Sequence, residues 1–468
     1  MSNWREISLW MDQLDQPLQP RPALAGRLNV DVAIIGAGYT GLWTAYYLKQ
    51  QDPGLRIAIV EAEIAGFGAS GRNGGWLMGN LDGEQTLLGA LPAAQRQAGY
   101  DLLHGIPDEV ERVIRRESIA CDYRKGGVLY CAARYPEQLV RLQEQMTGLR
   151  HAGLGEQDYR WLDAGQLAAQ VRMQQACAGI FSPHCATIQP ARLVRGLAAC
   201  VERLGVQIFE GSKVLDWQPG RVRTADGELH TDWVVPAVEG YAGSLPPLGR
   251  HQLPVQSLIV ATEPLSDAIW ADIGLEHGQA FSDCSSQVTY GQRTLDNRLV
   301  FGARGGYRFA GRLRSDFNLS EEERGLRRQL YSELFPQLRD ARITHAWGGN
   351  LSVARGFHPH MLRDSKNRIA LAGGYGGEGV GASNLAGRTL AELILGRQSA
   401  LLEQPWVIAE GPVSGLPRWE PEPLRWLGYQ AIMRSFSHED RVLANPQSPP
   451  WRRKMAVWLA LRMERLMH

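Results

Sequence analysis

Several things are missing from this sequence, and each absence narrows the field. The six cysteines (Cys121, Cys131, Cys177, Cys185, Cys200 and Cys284) form no C-x-x-C pair. That excludes a zinc ribbon and a thioredoxin-type centre, and the six read as small buried hydrophobes in a reducing compartment. No apolar run, including 57–60 and 455–461, approaches the roughly 18 residues of a membrane span. No basic region followed by an apolar stretch opens the chain, so no secretory leader is expected and a cytoplasmic location is the default expectation. An excess of one charge is missing too. Fifty Lys and Arg stand against 49 Asp and Glu, a balance of +1 that offers nucleic acid no electrostatic purchase. There is no G-x-S-x-G elbow of the serine hydrolases and no internal repeat.

What is abundant is glycine, 52 residues in clusters, within a chain that is 44% hydrophobic and 21% charged. This is ordinary globular composition, with length for two or three domains. Residues 1–28, with Pro17, Pro20 and Pro22, read as a surface arm, Trp4 and Trp10 packing onto the body. The β-branched run at 31–35 fits a buried parallel strand, 42–50 a helix, and 56–61 a second buried strand: one βαβ unit. Residues 93–120, 136–150 and 190–204 read as helices, and 123–133, 206–209, 258–262, 287–290 and 299–303 as strands. Ser320 and Glu323 have capping-box spacing for a helix over 320–334. A strand at 368–371 leads through a glycine turn into a helix over about 382–395 that stops at Gly396. Beyond residue 400 Pro and Trp rise and periodicity weakens, so 401–468 reads as a tail.

The pattern G-x-G-x-x-G occurs three times, at Gly36/Gly38/Gly41, Gly66/Gly68/Gly71 and Gly374/Gly376/Gly379. Only the first follows a clean strand, opens a helix and has a carboxylate, Glu61, 20 residues after Gly41. Gly36 allows the tight turn, Gly38 close approach to a pyrophosphate, and Gly41 close packing of helix on strand. The helix start brings Tyr39 and Thr40 and its free amides to the phosphates. Glu61, with Ala62 beside it, suits ribose hydroxyls and would repel a 2′-phosphate. This signature alone does not separate FAD from NAD. The loop that follows, with Gly68, Ala69, Ser70, Arg72, Asn73, Gly74, Gly75 and Trp76, is small enough to lie along a dinucleotide and brings one cation to a phosphate. The third cluster, with Gly374, Tyr375, Gly377, Glu378, Gly379, Val380 and Gly381, lacks the distant acid. It reads as a backbone wall against a planar ring, its helix start aimed at negative charge such as a reduced flavin carries.

The blocks DVAIIGAGYTGLWTAYYL (31–48), GFGASGRNGGW (66–76), RLVFGAR (298–304) and AGGYGGEGVGASNLAGRTLAELI (372–394) occur in the order found in the FAD-dependent amine and amino-acid oxidoreductases of the D-amino-acid oxidase type. The chain resembles that family over about residues 4–398, and within it the bacterial γ-glutamylputrescine oxidase-like branch. The resemblance implies an α/β fold, with a doubly wound, Rossmann-like FAD domain (29–85, 160–250 and 344–400) interleaved with a substrate domain on a mixed β-sheet (86–159 and 251–343). It implies non-covalent FAD, since no His occurs in 62–79 and no Cys follows Cys284, with the strand leading to Val214 at the adenine. The implied reaction is hydride transfer from the C–H beside an amine nitrogen to flavin N5. The product imine hydrolyses to a carbonyl compound, and oxygen or a quinone takes the electrons. No general base is assigned. Substrate candidates are Trp76, Tyr290, Arg304, Tyr307, His358, His360 and Glu378, with Arg304 suited to a carboxylate. The stretch 234–240, VVPAVEG, departs from the family's Ala-Thr-Gly turn, and Glu378 stands where many relatives carry His. An NAD-dependent Rossmann dehydrogenase and a non-catalytic flavin-bearing subunit remain as alternatives. No metal is expected.

One feature lies outside the resemblance. Residues 451–468 carry Arg452, Arg453, Lys454, Arg462 and Arg465 against Glu464, with Trp451, Met455, Trp458, Leu459 and Leu466 at near-helical spacing. This is a basic amphipathic helix that either lies on an anionic bilayer or docks on the protein's own surface.

Overall fold

The structure, a computed structural model, describes residues 3–246 and 248–464. Arg465 and Leu466 lie outside the described residues.

The β-branched run forms the heart of the first sheet. Gly26–Ile35 pairs in parallel with Ile57–Val60 on one side and Gly227–Pro236 on the other. Gln207–Phe209 and Ile369–Gly373 extend the parallel core of a nine-stranded sheet. Ile57–Val60 is buried throughout, as a central strand covered on both faces must be. Val32 and Ile34 face the helices Tyr39–Gln51, Pro190–Arg203 and Gly379–Leu395. Ala33 and Ile35 face a layer that includes Trp217, Val222, Leu245, Leu248 and Leu416. The fold class expected from the sequence, α/β with large mixed sheets, is the one observed.

The second sheet has eight strands among the described residues. Gln252–Thr262 and Ile343–Ala354 form a long antiparallel pair, followed by Leu299–Arg304, Tyr290–Arg293 and Ala280–Asp283. Val128–Ala132, Ala178–Ser182 and Arg160–Asp163 complete it. Helix Glu321–Leu334 covers this sheet through Leu330, Tyr331 and Leu334. Its start carries the expected reciprocal cap between Ser320 and Glu323, and helix Gly379–Leu395 ends at Gly396 in the left-handed region.

Several boundaries move. Arg160–Asp163, Ala178–Ser182 and Ile343–Ala354, read with the cofactor domain, pair into the second sheet. A strand's own pattern does not name its neighbour. The helices Ala93–His104 and Ile106–Arg116, read with the substrate domain, bury Tyr100, Leu103, Ile106 and Val110 in the first core. The N-terminus is no surface arm: Leu9, Trp10 and Met11 are buried, seating a short helix on the body. Nor is 401–468 a loose tail. Trp406 is in the first core, Val407–Ile408 joins the first sheet, and helices Leu424–Ala444 and Pro450–Glu464 pack together. Of the cysteines, Cys177 is exposed and Cys284 half-buried; each lies one residue outside a strand, Cys177 before Ala178–Ser182 and Cys284 after Ala280–Asp283.

One buried cation ties these late helices to the second sheet. Arg134 donates to Asp283 at 2.8 Å and Glu333 at 2.9 Å, with Asp440 at 3.7 Å. Asp283 also accepts from Gln138 and the Thr289 hydroxyl, and its carboxyl is held below the usual range, these partners outweighing its burial. Arg134→Leu leaves Asp283 buried without its counter-charge, so we expect a loss of about 3–5 kcal/mol in thermal or urea unfolding. Arg115→Leu, which breaks an exposed pair with Glu111 on a helix surface, leaves the transition unchanged.

Candidate active site

The site begins where Gly26–Ile35 ends. Gly36 takes φ +107°, a conformation open to glycine alone, and donates its N–H to the Val60 carbonyl at 2.8 Å. A side chain at Gly41 would collide with the Gly36 carbonyl, so glycine there lets the helix start sit directly on the turn. Glu61 holds this turn from the neighbouring strand, accepting from Ala37 N at 2.8 Å and Glu63 N at 3.0 Å. Burial nevertheless raises its carboxyl above the ordinary range.

The second glycine loop is gripped from outside by three donors. Ser8 Oγ donates to the Gly71 carbonyl at 2.8 Å, Trp347 Nε1 to Arg72 at 2.8 Å, and Trp10 Nε1 to Asn73 at 2.7 Å. Ser70 Oγ accepts Tyr39 N at 2.9 Å, joining this loop to the first helix. Arg72 is 5% exposed. Its Nε donates to the Phe67 carbonyl at 2.7 Å, and its guanidinium lies over the Phe67 ring at 4.6 Å. It makes no ion pair among the described residues, and burial pulls its pKa down.

The third glycine turn is held by Glu239. Its carboxylate accepts Gly374 N and Tyr375 N, each at 3.1 Å, and the Ser352 hydroxyl. Burial pushes its pKa up to about 7 against these three donors. Tyr375 OH lies 3.2 Å from Thr40 Oγ1, closing the ring between the first and third turns.

These three glycine segments enclose a cavity of about 520 Å³. Gly36, Gly38, Tyr39, Thr40, Glu61, Ala62, Gly68, Ala69, Ser70, Arg72, Asn73, Val214, Tyr375, Gly377, Gly379 and Val380 line it. A second cavity of about 340 Å³ lies against it, and Ala69, Arg72, Asn73, Leu351, Gly376, Gly377 and Val380 border both. Trp76, Tyr290, Arg304 and Glu378 line this second space, together with Asp82, Tyr130, Trp419 and Tyr429. Gly74 lies here too, rather than in the first cavity.

Other expected residues are elsewhere. Gly41, Gly75, Gly374 and Gly381 border neither cavity. Gly374 spends its N–H on Glu239, and a side chain at Gly381 would meet the Met78 carbonyl. Tyr307, His358 and His360 border neither cavity. Tyr307 turns its hydroxyl to Glu422. His360 sits in an interior strand opposite Gly373, where burial lowers its pKa to about 4. His358 lies against Gly83.

The second cavity holds opposed charges. Arg304 makes no ion pair among the described residues and lies 5.4 Å from the Phe436 ring. Burial pushes Asp82 up to about 6, against hydrogen bonding from Gly377 and the charge of Arg304. It pushes Glu378 to about 8, helped by Asp82 and Glu84. Asp82, Trp419 and Tyr429 had no signal in the sequence; Glu239 stood out only as a departure from the family's turn.

The first cavity fits FAD. A buried, unpaired guanidinium faces it, the N-terminal amides of two helices open on it, and a carboxylate closes one end, as a dinucleotide diphosphate and ribose require. Glu239→Ala strands the buried Gly374 and Tyr375 amides, costing about 2–4 kcal/mol, and the purified protein will retain less flavin by its visible absorbance. Glu239→Gln, which keeps an acceptor oxygen, will lose less on both measures.

Comparison with known proteins agrees with this geometry. The family model described as FAD dependent oxidoreductase matches residues 31–393. A probable oxidoreductase, OrdL, of Haemophilus influenzae is 31% identical over 84% of this chain and 89% of its own. Gamma-glutamylputrescine oxidoreductase of Escherichia coli is 31% identical over 81% of this chain and 86% of its own. The solved glycine oxidase of Geobacillus kaustophilus superposes with a TM-score of 0.67 at 19% identity, over 84% of this chain and 100% of that one.

Proposed function

The chain belongs to the FAD-dependent oxidoreductase family, and from that premise we propose that it oxidises the C–N bond of a small amine or amino acid bearing a carboxylate. The observation that carries this is the second cavity, which shares a wall with the FAD cavity and sets the unpaired Arg304 together with Asp82 and Glu378. FAD, when bound, supplies the two-electron acceptor for the C–H beside nitrogen, and the resulting imine is hydrolysed to a carbonyl product.

The protein's part is binding and orientation. Arg304 offers the substrate carboxylate a bidentate fork. Asp82 and Glu378, with one proton to share near neutrality, supply the counter-charge that draws an ammonium in. Trp76, Tyr290, Trp419 and Tyr429 exclude water, which favours the neutral amine, the form whose nitrogen lone pair assists loss of the neighbouring hydride. Among the described residues no Cys or His lines either cavity, which supports non-covalent FAD. Oxygen or a quinone serves as the final acceptor.

The test is anaerobic. The yellow protein is mixed with D-amino acids, N-methyl amino acids, cyclic imino acids and polyamine derivatives, and bleaching is followed before air is admitted and peroxide assayed. Amines carrying a carboxylate should bleach the flavin; bleaching by uncharged amines alone refutes the reading. Arg304→Leu should raise KM for such a substrate by about tenfold or more, roughly 1.4 kcal/mol of binding, with a smaller change in kcat. Because the Asp82 carboxyl is raised, it loses its charge below about pH 6. The KM of a cationic amine should therefore rise as pH falls through 6, and Asp82→Asn should flatten that limb.

A further inference from the structure

The helix Pro450–Glu464 has two faces with different fates. Ala456 and Ala460 are buried, Ala460 joining Ile432 and Phe436 of the preceding helix. Arg453 pins the first turn, bonding Glu137 at 2.7 Å and the Leu443 carbonyl at 3.0 Å. Docking through small residues turns the large ones outward. Trp451 is 64% exposed, Met455 61%, Trp458 60% and Leu459 39%. At about 100° per residue these four fall within an arc of roughly 100°.

Charge frames that stripe. Arg452 and Lys454 flank it on either side, and Arg462 lies along it, its guanidinium 5.9 Å from the Trp458 ring. All three cations are exposed and make no ion pair among the described residues. Glu464 is the single acid of the helix, in its last turn.

We propose that this outward face docks on an anionic lipid bilayer. Indole rings and a thioether suit the interfacial region, while Lys and Arg stems bury along apolar surface with their charges at lipid phosphates. A second copy of the chain fits less well. Lysine is depleted from protein interfaces, and one helix face about 22 Å long falls short of the roughly 800 Å² per partner that a stable dimer buries. The helix on which Pro450–Glu464 packs reaches the site, since its Tyr429 lines the second cavity. The proposal does not depend on the substrate reading.

Flotation of the flavin-loaded protein with phosphatidylcholine vesicles, with and without phosphatidylglycerol, tests it. The protein should float with the anionic vesicles alone, with a blue shift of tryptophan emission, and should be released by high salt. Trp451→Ser with Trp458→Ser should weaken partitioning by about tenfold or more, and Arg452→Glu with Lys454→Glu should do likewise. Both variants should keep the flavin spectrum and turnover of the parent, since none of these residues borders either cavity. The proposal is overturned by failure to bind anionic vesicles, by equal binding of the double-Trp variant, or by light scattering that shows a dimer which that variant dissociates.

Discussion

The site rests on one buried carboxylate. Glu239 follows the strand Gly227–Pro236 of the first sheet, accepts hydrogen bonds from two amides of the third glycine turn, and accepts another from the Ser352 hydroxyl on a long strand of the second sheet. Three pieces of chain from two sheets therefore meet on two oxygen atoms. Burial opposes its ionisation, and the gathered donors offset part of that cost. A glycine-rich turn that must present bare peptide to a ligand has few side chains of its own to hold it. It is held from behind, and Glu239 does the holding.

The same logic governs the other glycine segments. Glu61 supports the first turn through the Ala37 and Glu63 amides. Ser8, Trp10 and Trp347 support the second by donating to three successive carbonyls. Each turn keeps its inner surface free while neighbours satisfy its outer polar groups, as buried backbone requires. This explains why the N-terminal segment is folded down rather than loose, since two of those donors come from it.

The two cavities divide the electrostatics. Arg72 stands at their shared wall without an ion pair among the described residues, and Arg304 likewise within the second space alone. Asp82 lies close enough to Glu378 to raise its pKa, so the pair resists carrying two negative charges at neutral pH. A chamber with a fixed cation and a proton-sharing acid pair suits a ligand bearing both signs of charge.

Local pattern was enough for much of this. The βαβ unit, Glu61 at the end of the second strand (the strand itself stops at Val60), the capping box at Ser320 and the stop at Gly396 all depend on residues within a few positions of one another, or on a fixed spacing, and all were legible. Sheet membership was not, because Ala178–Ser182 and Ile343–Ala354 have patterns compatible with either sheet and only pairing decides. Nor was the fate of Tyr307 and His360, whose residue types suit a site but whose side chains the fold turns elsewhere. The linear chain by itself determined the nucleotide cradle, since its requirements are local: a turn, a helix start, an acid one strand away. Only tertiary structure decided the chamber beside it. Asp82, Arg304, Glu378 and Trp419 come from four distant stretches, and their proximity is a property of packing that no spacing along the chain encodes.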